Sequence, residues 1–112
     1  RPMIKWQLNA YGALSEVLTD QLPQAVKLWE ADNPQSRDFR LASQISYRAT
    51  KLFNTKQDGL YHYVVELPLP AQGWKAHFVE FSFQDQQKEP FILTTPAYIL
   101  SEHSYLKEAR AS

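Results

Sequence analysis

Residues 60–83 read LYHYVVELPLPAQGWKAHFVEFSF and contain the clearest strand pattern of the chain. Alternate positions from Tyr61 to Leu67 are apolar, which is the period-two pattern of a half-buried β-strand. Two prolines and a glycine in residues 68–73 then enforce a turn. Residues 74–83 are apolar on both faces, which is typical of a strand in the centre of a sheet. The stretch therefore predicts a strand, a turn and a central strand.

Similar segments follow one another along the whole chain, with turn signals between them. Asp32-Asn33-Pro34 is such a signal, because Asx side chains bond nearby backbone and a proline restricts the residue before it. Residues 54–59 form a predicted polar loop, and Pro96 predicts a bulge or an edge position in the last strand. The predicted strands cover residues 3–8, 13–19, 25–31, 39–41, 45–53, 60–67, 74–83 and 91–100.

This spacing predicts an all-β fold, an immunoglobulin/fibronectin-III-like antiparallel β-sandwich of about seven strands. We expect a single domain over residues 1–102 and a polar C-terminal tail over residues 103–112, with a short helix at most in residues 104–111. The residues predicted for the core between the sheets are Val26, Leu28, Tyr61, Tyr63, Val65, Val79 and Phe81.

The amino-acid composition argues against nucleic-acid binding and against a membrane span. Lys+Arg and Asp+Glu both number 12, so the formal net charge is zero and the basic excess of a nucleic-acid binder is missing. No cysteine is present to form a disulfide or a thiolate, and no apolar run approaches the length of a membrane span. We expect neither a nucleic-acid partner nor a membrane span.

The chain by itself also lacks the motifs of an enzyme. Its three glycines, Gly12, Gly59 and Gly73, form no Gly-x-Ser-x-Gly nucleophile elbow and no phosphate-binding loop. Glu66 and Glu80 could be an acid/base pair, but each lies mid-strand, where facing solvent or a cation is the simpler role. We therefore expect no catalytic residue and no cofactor.

A metal site is not expected either. His62 and His77 fall on consecutive strands that belong to opposite sheets in a fibronectin-III order, and His103 lies in the tail. The residues Asp32, Asn33 and Asp38 lack the alternating oxygen ligands and the glycine of a calcium loop, so turn chemistry explains them better.

Two groups of side chains are candidates for an interface. The run Arg37-Asp38-Phe39-Arg40 either grips a partner's carboxylates through its guanidinium groups, or forms a clasp in which Arg37 and Asp38 hold the Asn33-Pro34 loop and Phe39 is buried. Trp29 could lie on either face of its strand; exposed together with Trp6 or Tyr11, it could stack on sugar rings. The candidate interface or binding residues are Trp29, Asn33, Arg37, Asp38 and Arg40.

Two blocks of the sequence also resemble a known family. Residues 26–41 read VKLWEADNPQSRDFRL and residues 73–83 read GWKAHFVEFSF. They resemble the C-terminal part of the PhoPQ-activated pathogenicity-related proteins, in which V-x-L-W-x-A-x-N-P-x-x-R-D-F-R precedes G-W-x-A-x-F-V-E-x-x-F. The likeness spans residues 26–95, and the first block is the more specific because a β-sandwich in general does not need it.

The resemblance implies a secreted or periplasmic bacterial parent protein with a hydrolase-like catalytic region upstream of these residues. This chain would then be a non-catalytic accessory domain whose partner is that upstream region. Two alternatives remain open from the residues: a carbohydrate- or substrate-binding module, and a protein-recognition module that acts through a sheet edge. Pro96 argues against the last strand supplying a long free edge.

Overall fold

Nine β-strands form the fold in a computed structural model that describes residues 1–40 and 45–103. No helix occurs within that part of the chain. The predicted tail helix in residues 104–111 lies outside it, as does nearly all of the predicted tail. The strands are β1 Ile4–Leu8, β2 Leu14–Thr19, β3 Ala25–Asn33, β4 Arg48–Lys51, β5 Thr55–Gln57, β6 Leu60–Val64, β7 Trp74–Gln84, β8 Pro90–Thr94 and β9 Tyr98–Ser101.

The strands form two antiparallel sheets that pack as a sandwich. The four-stranded sheet has the order β1-β2-β6-β5, and the five-stranded sheet has the order β4-β3-β7-β8, with β9 also paired to β7. In immunoglobulin terms these are strands A-B-E-D facing C′-C-F-G, where β8 and β9 together stand for G. The predicted all-β sandwich is confirmed.

The longest strand, β7, lies in the centre of its sheet. It pairs with β3 from Ala25↔Ser82 to Asn33↔Trp74, and its other edge is shared by β8 and β9. Apolar side chains occur on both of its faces, as expected for a central position.

The core lies between the sheets and follows the predicted alternation. All of the predicted core residues are buried except Tyr61, which is half-buried and packs against the others. The buried cluster consists of Leu14, Val17, Val26, Leu28, Tyr63, Val65, Val79, Phe81 and Phe83.

A bulge divides the last strand in two at Pro96. Between Glu80↔Thr94 and His77↔Tyr98, the strand opposite β7 contains one more residue than β7 does. The buried Thr95 hydroxyl fills the gap: it accepts the Val79 backbone N–H at 3.0 Å and donates to the Pro96 carbonyl at 2.9 Å. The bulge predicted from Pro96 is therefore confirmed.

The region between β3 and β6 differs from the prediction. Phe39 and Arg40 are not in a strand, and Leu41 lies outside the described residues. The predicted strand 45–53 is reduced to β4, because the chain then leaves the five-stranded sheet for the four-stranded one.

The predicted polar loop at 54–59 contains a strand. β5 pairs with β6 through a two-residue turn, Asp58-Gly59, whose φ angles are 52° and 77°. Positive φ at both central residues is the type I′ turn of tight hairpins, and Asp-Gly is its strong sequence signal. This hairpin could have been found from the sequence.

Candidate interaction face on the five-stranded sheet

One part of the outward face of the five-stranded sheet, on the two central strands, is apolar. Because Leu28 and Val79 point into the core, the alternation places Trp29 on β3 and Phe78 on β7 outside. Ala31 and Ala76 are on the same outward side, yet their exposed fractions are 0% and 2%. A solvated sheet face is normally polar, so this face is unusual.

Three aromatic rings cover this part of the face, and we call them the aromatic layer. Trp29 and Phe78 are stacked, with ring centroids 6.4 Å apart and an interplanar angle of 17°. Tyr47, which precedes β4, lies against Phe78 at 5.8 Å. The Trp29 indole nitrogen is buried and has no hydrogen-bond partner among the described residues. Each of the three rings is half-buried.

Two exposed isoleucines lie on the same face at the edge formed by β8 and β9. Ile99 is opposite Ala76 in register and is 37% exposed. Ile92 is opposite Ser82 and is 57% exposed. Ile99 therefore lies at the edge beside the aromatic layer, whereas Ile92 is separated from it by Glu80 and Thr94.

Asn33 organises the loop that follows β3. Its side chain is nearly buried: Oδ1 accepts the backbone N–H groups of Gln35 at 3.0 Å and Ser36 at 3.2 Å, and Nδ2 donates to the Asp38 carbonyl at 2.9 Å. These are the bonds of an Asx turn, the chemistry predicted for this position. The candidate residue Asn33 thus shapes the loop and is mostly withdrawn from its surface.

The ion pair in this loop joins Asp38 to Arg40. The Arg40 Nε and Nη2 donate to the two Asp38 carboxylate oxygens at 2.9 Å each, a bidentate pair that raises the pKa of the Arg40 guanidinium. The predicted clasp placed Arg37 in that role. Arg37 is exposed instead, and Phe39 is half-buried. Both guanidinium groups of this loop are exposed, and that of Arg40 is already paired with Asp38.

A charged cluster on the inner face of the same sheet was not predicted from the sequence. Lys75, with 7% of its side chain exposed, donates to Glu30 at 2.9 Å and lies 3.4 Å from Asp32. Arg48 pairs with Asp32 at 2.7 Å. Continuing the alternation from Leu28 through Glu30 and Asp32 could have placed both carboxylates on the core side.

These charges determine the ionisation of Asp32. Burial alone would raise the pKa of its carboxyl, but the hydrogen bond from Arg48 and the charges of Lys75 and Arg48 hold that pKa below its usual value. The Asp32 carboxyl is therefore ionised at neutral pH, where it is paired with Arg48 and Lys75.

The histidines and glutamates that were candidates for a metal site or an acid/base pair lie apart from one another. His62 lies on the four-stranded sheet, where its Nδ1 is 3.1 Å from Glu16, while His77 lies on the five-stranded sheet. Glu66 is exposed and Glu80 lies on the outward face opposite Lys27. Within residues 1–40 and 45–103, no three His, Asp or Glu side chains come together as metal ligands. The same ranges contain no helix able to cross a membrane.

The exposed aromatic residues do not form one platform. Trp6 on β1 and Tyr11 in the following turn are 36% and 37% exposed. Trp29 belongs to the other sheet, stacked on Phe78. Among the three aromatics considered for sugar stacking, only Trp6 and Tyr11 are near each other in the chain and exposed.

The fold and the site define a small β-sandwich with the immunoglobulin strand order and an aromatic layer on one outward face. Comparison with known proteins finds no matching family model, no matching curated protein and no matching solved structure.

Proposed function

We propose that this chain is a non-catalytic accessory β-sandwich domain that docks on a hydrolase-like domain upstream of it in a longer parent protein. The observation that carries the proposal is the aromatic layer on the outward face of the five-stranded sheet. An apolar face in that position is stabilised when another surface removes it from water, and domain interfaces are a common place for such faces.

The contact is expected to include the apolar face and the loop next to it. Trp29 and Phe78 supply the ordered aromatic surface, and Ile99 supplies exposed apolar area beside them. Arg37, exposed in the loop after β3, can form a bidentate pair with a carboxylate of the partner. Aromatic and arginine side chains are the residues that most often dominate binding energy at interfaces.

The parent protein is proposed from the sequence. The two blocks at residues 26–41 and 73–83 resemble the PhoPQ-activated pathogenicity-related proteins, which implies a secreted or periplasmic bacterial protein. The first block runs through Trp29 and Asn33 into the loop with Arg37, so it coincides with the proposed contact surface.

The test is calorimetric titration of this chain into the separately expressed upstream region of its parent. We expect saturable binding that Ile99→Asp weakens, because a carboxylate would be buried in an apolar contact. Val64→Asp is the matched control: Val64 is also exposed, at 58%, but it lies on the outward face of the other sheet. Absence of binding by the folded wild-type chain, or equal loss with both variants, would contradict the proposal.

A second candidate function is glycan binding at β1, which the exposure of Trp6 and Tyr11 supports. The Trp6 indole is fixed by the hydrogen bond from its Nε1 to the Tyr98 hydroxyl at 2.9 Å, and a fixed exposed ring is suited to stacking. Tryptophan fluorescence titrated with a panel of oligosaccharides would test this. We expect a saturable change that Trp6→Ala abolishes; an unchanged spectrum across the panel would exclude the site.

A further inference from the structure

The free edge of β8 differs from the other strand edges of the sandwich. β1, β4 and β5 each carry at least one lysine or arginine, and such charges oppose the approach of another strand. β8, with the sequence PFILT, carries none. β9 is also uncharged, but Tyr98 on it accepts the hydrogen bond from Trp6, so β1 of the other sheet lies beside that strand. Within the described ranges, β8 therefore has the uncharged edge that lies open.

The register of β8 shows which of its backbone groups are free. Thr95 donates its N–H to the Val79 carbonyl at 3.0 Å, so in an antiparallel ladder Leu93 and Phe91 also bond to β7. The intervening residues Ile92 and Thr94 direct their N–H and C=O groups away from β7. These groups, with the Pro90 carbonyl, form an unpaired row next to an isoleucine that is 57% exposed.

We propose that the β8 edge pairs with the β8 edge of a second copy of this chain, giving a two-fold symmetric dimer with a continuous sheet. With Ile92 on the two-fold axis, the two Ile92 residues exchange N–H···O bonds. Each Thr94 N–H then donates to the Pro90 carbonyl of the other copy. Pro90 has no N–H, so it removes one bond at each end and leaves the central ones intact.

Two features favour a second copy over an unrelated peptide. The side chains are self-complementary in this register, because Ile92 meets Ile92 on the outward side and Phe91 meets Leu93 on the core side. The chain also has zero net charge, so two copies do not repel each other at neutral pH.

The assembly is expected to stop at two copies. Pro90 and the bulge at Pro96 limit the pairing to about five residues, and an isologous contact uses each β8 edge once. The opposite edge of the sheet is β4, where Arg48 and Lys51 oppose further strand addition. A contact this small buries less than the roughly 1,200 Å² of a stable complex, so we expect a Kd on the order of 100 µM.

Sedimentation equilibrium and amide hydrogen exchange on the chain alone test the proposal. We expect a monomer–dimer equilibrium between about 10 µM and 1 mM protein. The Ile92 and Thr94 amides should exchange fast in the dilute monomer and become protected as the protein concentration rises. The Phe91 and Leu93 amides should be protected at every concentration, because they bond to β7. A monomer throughout this range, or a dimer in which Ile92 and Thr94 stay unprotected, would overturn the proposal.

Substitutions locate the contact. Ile92→Lys places a charge on the edge and should weaken association by about tenfold or more. Val64→Lys is the control, because Val64 is equally exposed on β6, which has strands on both sides. Equal weakening by the two variants would overturn the proposal. If Ile92→Lys unfolds the chain, Ile92→Pro is a second test. It removes the Ile92 N–H, which bonds to nothing in the monomer, and should also prevent the β8 edges of two copies from pairing.

Discussion

His77 of the five-stranded sheet accepts a hydrogen bond from the Leu14 backbone N–H of the four-stranded sheet at 3.0 Å, and so joins the two sheets. Because Nε2 is the acceptor, the neutral ring carries its proton on Nδ1. That atom is buried without a hydrogen bond of ordinary geometry among the described residues. Protonation of the ring would displace the Leu14 bond and place a charge in the interior.

Stability should therefore depend on pH through His77. Burial lowers the pKa of His77 from 6.5 to about 4; the Glu30 charge opposes this fall and the Lys75 charge adds to it. Between pH 6.5 and about 4, His77 binds a proton in the unfolded chain but not in the folded chain. The stabilisation is thus complete above pH 6.5 and is lost as the pH falls towards 4, a difference of about 3 kcal/mol.

Urea denaturation of the wild type and His77→Gln across this pH range measures the effect. Glutamine can still accept the Leu14 N–H but does not titrate. We expect the free energy of unfolding of the variant to vary less between pH 6.5 and 4 than that of the wild type. Parallel curves would show that His77 is not the responsible group.

Replacing one member of the buried ion pair between Lys75 and Glu30 should lower the free energy of unfolding more than replacing both members. Lys75→Met leaves the Glu30 carboxylate, 13% exposed, with Arg48 at 3.6 Å as its remaining salt-bridge partner among the described residues, and should cost about 3 kcal/mol. Adding Glu30→Leu removes the unpaired charge and should recover part of that loss. A double-mutant cycle by thermal and chemical unfolding measures the coupling; a double variant less stable than Lys75→Met alone would contradict the expectation.

Gly73 should tolerate no side chain. Its φ is +72°, and a β-carbon there would lie 2.5 Å from the Asn33 carbonyl oxygen and the Pro34 α-carbon, both of them backbone atoms. Gly73→Ala should cost more than about 2 kcal/mol, from positive φ and from displacement of the Asn33 loop. Gly59→Ala is the matched control, since its φ is +77° and nothing lies within 4 Å. Equal losses in thermal unfolding would mean that the contact with Asn33 adds nothing.

Phe81 should be among the most costly core residues to truncate. It is fully buried, edge-on to Tyr63 with ring centroids 6.2 Å apart, and stacked on Phe83 at 6.3 Å. Phe81→Ala should lower the free energy of unfolding by about 3–5 kcal/mol. Phe53→Ala, at a side chain 77% exposed, should change it by less than about 0.5 kcal/mol. A loss below about 1 kcal/mol at Phe81 would be inconsistent with its position in the core.

Much of the fold could be predicted because strand faces follow from a period of two. The alternation in residues 60–67 placed Tyr63 and Val65 in the core, and the two-sided apolar run of residues 74–83 placed β7 in the centre of a sheet. The Asp58-Gly59 hairpin could also be predicted from the sequence, since its turn type depends on two adjacent residues alone. Pro96 likewise marked the bulge, because a proline cannot continue the ladder.

The candidate site was less predictable because its properties depend on residues far apart in the chain. The sequence left the face of Trp29 undetermined. The pairing of β3 with β7 places Trp29 against Phe78, which is 49 positions later in the chain. Asp38 forms its bidentate ion pair with Arg40. The sequence could not distinguish Arg37 from Arg40 as the partner, because the choice depends on the path of the loop, and the hydrogen bonds of Asn33 set that path.

The class of fold, the strand faces and the turns follow from the sequence, because they depend on the local geometry of the backbone and on side-chain spacing. Long-range strand pairing places Lys75 beside Glu30, places His77 opposite Glu30, and determines which strands lie at the sheet edges. Burial and pairing are properties of neighbours brought together by long-range strand register, and no local window of the chain contains both partners.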